Sequence, residues 1–150
     1  MEFMNSQEKK EKVIMAVMIF VFDGEKNLLL LKRCDNGQWE PVKGGVKDGE
    51  DWHAAGLREL KEEAGFAPDS GLKFLKVVDD ELITSKGKTK IKGHVSYCRV
   101  FGVKPTPTLT GDEEGKEHDD YRWINFNNIH KEELFPPLAN ELVKEISDIV

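Results

Sequence analysis

The sequence predicts an α/β domain, with a mixed sheet carrying helices on its faces, in a single unit spanning residues 1–150. Three observations carry this expectation. VIMAVMIFVF (Val13 to Phe22) is a β-branched and aromatic run of the kind that fills a central strand. A second segment has helix signals at both ends, with Asp51 placed to cap the start and Gly65 placed to end it. A third, from about Leu138, carries Leu138, Leu142, Ile146 and Ile149 on one stripe, the pattern of a helix lying on a core.

The elements between these follow from local chemistry. DGEKN (Asp23 to Asn27) is turn-forming, so LLLLKR (Leu28 to Arg33) is the returning strand of a hairpin. CDNGQ is a loop, and WEPV (Trp39 to Val42) is a short strand whose Pro41 suits an edge or a strand end. Leu72 to Val78 and Lys90 to Phe101 are strands, with the polar stretch around SKGKTK separating them. Lys104 to Asp120 has proline, glycine and acids with almost nothing to bury, so it is a long surface loop, and long ordered loops tend to be functional. YRWINF is the last strand. There is no internal repeat. Residues 1–12 are expected to be disordered, with MEF ahead of Met4 a non-native addition.

Composition narrows the function classes. A net charge of −6 argues against general affinity for nucleic acid or acidic membrane, both of which reward a basic surface. Phosphorylated ligands stay open to an acidic protein if metal ions supply the positive charge. Nothing has the apolar core of a signal peptide or the roughly 20 apolar residues of a membrane span, so no membrane partner is expected and the location is cytoplasmic. Cys34 and Cys98 lack metal or redox spacing and are read as reduced packing residues. His53, His94, His118 and His130 show no metal spacing and receive no role.

GGVKDGEDWHAAGLRELKEEAGF (Gly44 to Phe66) is the anomaly. At about 100° per residue, Glu62 and Glu63 lie within about 60° of Glu59, with Ala55 in the same sector. Leu57, Leu60 and Ala64 form a separate apolar stripe. Glutamate is a good helix former and such a face can be merely solvated, yet like charges at this spacing repel. Three carboxylates beside a core face, after a glycine loop, suit a hard divalent ion such as Mg²⁺ or Mn²⁺. A calcium loop on DGED fails, because the alternating oxygen ligands are missing.

The stretch resembles the Nudix box, G-x5-E-x7-R-E-U-x-E-E-x-G-U with U usually aliphatic. The matches are Gly44, Glu50, Arg58, Glu59, Leu60, Glu62, Glu63 and Gly65, with Phe66 aromatic at the last position. The VFDG…LLLLKR hairpin and the YRWINF strand are similar to those of the same family. The resemblance implies an α/β/α sandwich that hydrolyses a nucleoside diphosphate linked to another moiety, by water attack on phosphorus. It implies Mg²⁺, with Mn²⁺ as substitute, held by Glu59, Glu62 and Glu63 and a backbone carbonyl near Lys43 or Gly44. Glu59 or Glu63 would orient or deprotonate the water, while Glu50 and Arg58 form a structural ion pair and Gly44 and Gly65 shape the motif. A carboxylate from outside the box is expected among Asp112, Glu113, Glu114 and Glu117, with Glu117 favoured by its position six residues before Trp123. Arg33 and Lys43 are candidates for substrate phosphate and Trp39 for stacking on a base, although a strand tryptophan is more often core. Trp52 lies outside the motif and is read as packing or a lid contact.

On substrate the resemblance divides. WEPVKGG and EHDDYRW are similar to segments of diadenosine polyphosphate hydrolases, and bacterial RNA 5′-pyrophosphohydrolases have a similar late glutamate. Ile83 stands where the former often carry tyrosine, and Glu81 where ADP-ribose enzymes carry proline. The expected partner is therefore a nucleotide with a pyrophosphate linkage, either a (di)nucleoside polyphosphate or a nucleoside triphosphate, with an RNA 5′ end as the alternative. A non-catalytic nucleotide- or RNA-end-binding module is the alternative of another class, disfavoured because all box glutamates are kept. A homodimer is compatible with the resemblance.

Overall fold

The computed structural model describes residues 13–68, 71–85, 87–111 and 115–149. The expectations for residues 1–12 and for Asp112, Glu113 and Glu114 lie outside these. Among the described residues there are seven strands: β1 (Val13–Phe22), β2 (Asn27–Arg33), β3 (Trp39–Glu40), β4 (Val42–Gly45), β5 (Lys73–Thr84), β6 (Gly87–Arg99) and β7 (His118–Asn125). Helix α1 is Trp52–Ala64, a 3-10 turn covers Phe126–Lys131, and α2 is Leu138–Ser147. Among the described residues no helix is long and apolar enough to cross a membrane.

From Val17 to Phe22 the apolar run of β1 is buried on both faces, since successive side chains of a strand point opposite ways, while Val13, Ile14 and Met15 at its start are exposed. Met18, Phe20 and Phe22 join Leu28, Leu30 and the α2 residues Ala139, Leu142, Val143 and Ile146 in one core. Val17, Ile19 and Val21 join Leu29, Leu31 and the α1 residues Ala55, Leu60 and Ala64 in the other. The result is an α/β/α sandwich. Its sheet is mixed: β1 and β6 run parallel from Val13↔Lys90 to Phe22↔Arg99, and the other pairs are antiparallel. The strand order is β3-β2-β1-β6-β5, with β4 also on β1 and β7 also on β2. Pro41 separates β3 from β4, so WEPV is two short strands on different partners.

Two expectations are corrected here. Strand extends to Thr84 and resumes at Gly87, because β5 and β6 pair in a register that sets Asp79 opposite Lys92 and Glu81 opposite Lys90. Opposite charges directly across an antiparallel pair favour the ladder. The stripe on the last helix also differs. The helix ends at Ser147 and Ile149 is exposed beyond it, while Ala139 and Val143 are the additional buried positions.

Helix α1 has the ends its sequence implies. The Asp51 side chain accepts the Ala54 N–H at 2.7 Å, and Gly65 adopts φ 73° while its N–H donates to the Lys61 carbonyl at 3.0 Å. The loop that follows β6 docks on this C-terminal end. Thr108 N–H donates to Ala64 O at 2.7 Å and Gly111 N–H to Glu62 O at 2.9 Å, which satisfies carbonyls the helix leaves open. Asp51→Ala removes the N-terminal acceptor and is expected to lower stability by about 1 kcal/mol. Asp51→Ser should restore most of it, read as the urea midpoint of each variant.

Candidate active site

The site forms where α1, β4 and the start of β7 converge. The apolar side of α1 is not the stripe expected from its sequence. Leu57 is 37% exposed, whereas Ala55, Leu60 and Ala64 are fully buried and Glu59 and Glu63 are only 8% and 3% exposed. The carboxylate face and the core face are thus largely the same face.

Arg58 organises the motif. Its Nε and Nη2 donate to the two Glu50 oxygens at 2.8 and 2.9 Å, and Nη2 also donates to the Gly45 carbonyl at 2.7 Å. Its Nη1 donates to Glu59 Oε1 at 2.7 Å and to Glu62 Oε2 at 3.1 Å. Hydrogen bonding to this guanidinium and to the Lys47 N–H holds the Glu50 carboxyl down at about 2. Glu59 goes the other way. Burial pushes it up to about 7 despite Arg58, and the charges of Glu62 and Glu117 add to the rise. Gly44 makes room for it, because a Cβ there would lie 2.1 Å from the Glu59 carboxyl carbon.

Glu63 is the most enclosed acid. Its Oε1 accepts the Lys43 N–H at 2.9 Å, while Oε2 is buried with no hydrogen-bond partner. Burial raises its pKa well above the ordinary carboxylate value; the Lys43 N–H opposes this, and Glu59 and Glu117 reinforce it. Ligand atoms of Glu63, Glu117 and His118 all lie within 4.8 Å of one another. Glu117 is exposed, and its carbonyl accepts the Cys34 N–H at 2.9 Å. Four acids with an unpartnered buried oxygen among them fit a divalent cation, which prefers carboxylate oxygens.

A cavity of about 760 Å³ opens beside these groups, lined by Arg33, Lys43, Gly44, Glu117 and His118 at one end and by Met18, Val95, Phe135 and Leu138 among its apolar walls. Arg33 and Lys43 both sit over the Phe135 ring, at 5.0 and 4.8 Å from its centroid. The structure does not bring Trp39 into this cavity. That ring packs against the α2-side core and carries the Arg122 guanidinium 4.5 Å from its centroid, so Phe135 is the aromatic wall instead. Trp52 stacks on His94 at 5.0 Å, away from the cavity. Cys98 is buried as expected, but Cys34 is exposed at the cavity mouth rather than packed.

His118 is the residue that sequence reasoning passed over. It is 2% exposed, its Nε2 lies 2.8 Å from Glu40 Oε2, and its Nδ1 lies 3.4 Å from Glu63 Oε2. The signal available was its place directly after Glu117. Metal spacing rules miss it, because its partners lie 78 and 55 residues away along the chain, at Glu40 and Glu63.

Comparison with known proteins bears on the family and the fold. The NUDIX domain family matches residues 12–146. Over 145 residues the chain is 26% identical to a protein named RNA pyrophosphohydrolase from Novosphingobium aromaticivorans, covering 89% of each. The fold is similar to a MutT protein from Methanosarcina mazei, with a TM-score of 0.74, 21% identity and 93% and 96% of the two chains covered. It is also similar to a C. elegans Ap4A hydrolase, with a TM-score of 0.66, 20% identity and 91% and 96% covered.

The raised acids make stability depend on pH in a definite direction. An unfolded glutamate titrates near 4.5 and folded Glu59 near about 7, so between these values the folded chain holds more protons than the unfolded one. Stability then falls as pH rises through that window, by roughly 3 kcal/mol for Glu59 alone. The melting temperature of metal-free protein in chelator is expected to decline from about pH 5 to about pH 8. Glu59→Gln should flatten the decline, and an unaltered slope would count against a buried, proton-holding Glu59.

Proposed function

The chain belongs to the NUDIX family of hydrolases, which act on phosphoric anhydride bonds, and from that premise we propose that it is a Mg²⁺-dependent pyrophosphohydrolase of (di)nucleoside polyphosphates or nucleoside triphosphates. The observation that carries this reading is the buried Glu63 Oε2, which has no hydrogen-bond partner and lies beside Glu117, with the charge of Glu59 also acting on it. Glu59, Glu62, Glu63 and Glu117 would hold the ion, with Mn²⁺ as a substitute. When bound, such an ion offsets phosphate charge and lowers the pKa of water.

The protein's own groups account for the remaining tasks. Arg33 and Lys43 are half-buried cations at the polar end of the cavity and suit substrate phosphate. Arg33 pairs with the exposed Asp35 at 2.7 Å, a contact that an incoming phosphate can replace. Phe135, Met18, Val95 and Leu138 give the same cavity apolar walls that suit a base. Glu59, buried on the cavity side of α1 against Gly44, is placed to take a proton from water. Glu63 is the alternative base.

An RNA 5′ end is the second reading, favoured by the similarity, over 89% of each chain, to a protein named RNA pyrophosphohydrolase. One screen separates the substrates: Mg²⁺-dependent release of products from dinucleoside polyphosphates, (d)NTPs and 5′-triphosphate RNA, with products identified. Glu63→Gln is expected to lower turnover by about 100-fold or more, the scale of a lost proton-transfer group. Arg33→Ala should mainly raise KM, as loss of uniform binding does. Retained turnover in Glu63→Gln would remove the metal assignment, and unchanged KM in Arg33→Ala would remove the phosphate assignment.

A further inference from the structure

We propose that Glu40 and His118 are positioning residues that tie the phosphate-binding cations to the metal-holding carboxylates. The inference rests on the assignment of Glu63 and Glu117 as metal-holding groups. Its basis is a chain of buried ionisable side chains, Glu40, His118 and Glu63, each no more than 3% exposed. They come from three separate elements, β3, β7 and α1.

Each link uses a different atom. Glu40 Oε1 faces the cavity cations, 3.1 Å from Arg33 Nη1 and 3.5 Å from Lys43 Nζ. Glu40 Oε2 faces inward and takes His118 Nε2 at 2.8 Å. The ring is thereby fixed, with Nδ1 turned to Glu63 Oε2 at 3.4 Å. Glu63 is divided in the same way, since its Oε1 is held by the Lys43 N–H. The plane of the Glu63 carboxylate is thus set by two neighbours, both of which also touch Glu40 or belong to the residue that does.

A purely fold-supporting histidine would be satisfied by Glu40 alone. Here the second nitrogen meets the carboxylate oxygen that has no hydrogen-bond partner, beside the Glu117 carboxylate. His118 also opens β7, so burying its ring anchors the backbone that presents Glu117. One imidazole therefore orients Glu63 directly and Glu117 through the chain. Outer groups of this kind orient the residues that hold a metal, and losing them typically costs about 10–100-fold in metal affinity.

The test is Mn²⁺ binding to the whole chain without substrate, with free Mn²⁺ read from its electron paramagnetic resonance signal. An asparagine amide reaches the place of Nδ1, whereas a glutamine amide reaches the place of Nε2. His118→Asn therefore keeps the contact to Glu63, and His118→Gln keeps the contact to Glu40. His118→Gln is expected to weaken Mn²⁺ by about 10-fold or more, and His118→Asn to stay within about threefold of the parent, although both melt earlier. Equal affinities in all three proteins, or the reverse ranking, would overturn the inference and leave His118 as a support of the fold. Nitrogen coupling in the bound Mn²⁺ spectrum would overturn it in another way, by making His118 a ligand. Should neither variant fold, Glu40→Met decides: it keeps side-chain length without an acceptor, and unchanged Mn²⁺ affinity would sink the proposal. A parent chain that binds no Mn²⁺ would overturn the metal assignment itself together with this inference.

Discussion

The Arg58 guanidinium is the interaction on which the rest of the site depends. It has five N–H donors in a fixed fork, and all five are used: two on Glu50, one on the Gly45 carbonyl, and one each on Glu59 and Glu62. Those partners belong to the loop before α1, to β4 and to α1 itself, so one side chain locks three pieces of backbone in register. A lysine could not do this, since its ammonium has three donors and no planar fork. The charge count also matters. One guanidinium among Glu50, Glu59 and Glu62 leaves an excess of negative charge, and Glu63 and Glu117 stand beyond its reach. The fold thus relieves enough repulsion to form and leaves enough to bind a cation.

The sheet supplies the rigid frame for this arrangement. Because β1 is buried on both faces from Val17 to Phe22, it can hold α1 on one side and α2 on the other, and its edge takes β4 at Ala16 to Ile19. That pairing places the Lys43 N–H against Glu63. On the next strand, β2 pairs with β7 from Asn27↔Asn125 to Arg33↔His118, which brings the end of a long loop back to the same place. The loop is tied part-way along, at Thr108 and Gly111, to the last carbonyls of α1. Glu117, far from the motif in sequence, arrives beside it by backbone hydrogen bonds before and after it in the chain rather than by any preference of its own.

Much of this was readable from the sequence, and the limits have a physical pattern. Features set by contacts a few residues apart were legible: the caps Asp51 and Gly65, the shared sector of Glu59, Glu62 and Glu63, and the two-faced strand Val13 to Phe22. Features set by pairing across the sheet were not. The extent of β5 and β6 depends on acids meeting lysines across strands, and the burial of His118 depends on Glu40 and Glu63 arriving from other elements. Helix α1 shows the same division. Its periodicity placed Leu57 on the apolar side, but the direction of the core was decided by where β1 and β2 lay, and this turned Ala55 inward and left Leu57 37% exposed. Phe135, which the sequence did not single out, faces the cavity and Trp39 does not, since only the packed fold decides which ring does.

The charge balance of the cavity bears on how a polyanion is recognised by a protein of net charge −6. Its two cations are not unopposed. Arg33 is shared between Asp35 and Glu40, and Lys43 also leans on Glu40, so the polar end of the cavity is close to neutral before any acid of α1 is counted. Glu59 and Glu63, beside Glu117, make it negative once they give up the protons that burial favours. A polyphosphate approaching this surface would be repelled by the protein alone, and the two cations, held over the Phe135 ring, can orient phosphate oxygens but cannot by themselves overcome that field. On the proposed reading the attraction has to come with the metal, which makes the acids that repel the substrate the same groups that recruit it. Selectivity is then left to the apolar walls, where shape rather than charge distinguishes one nucleotide from another.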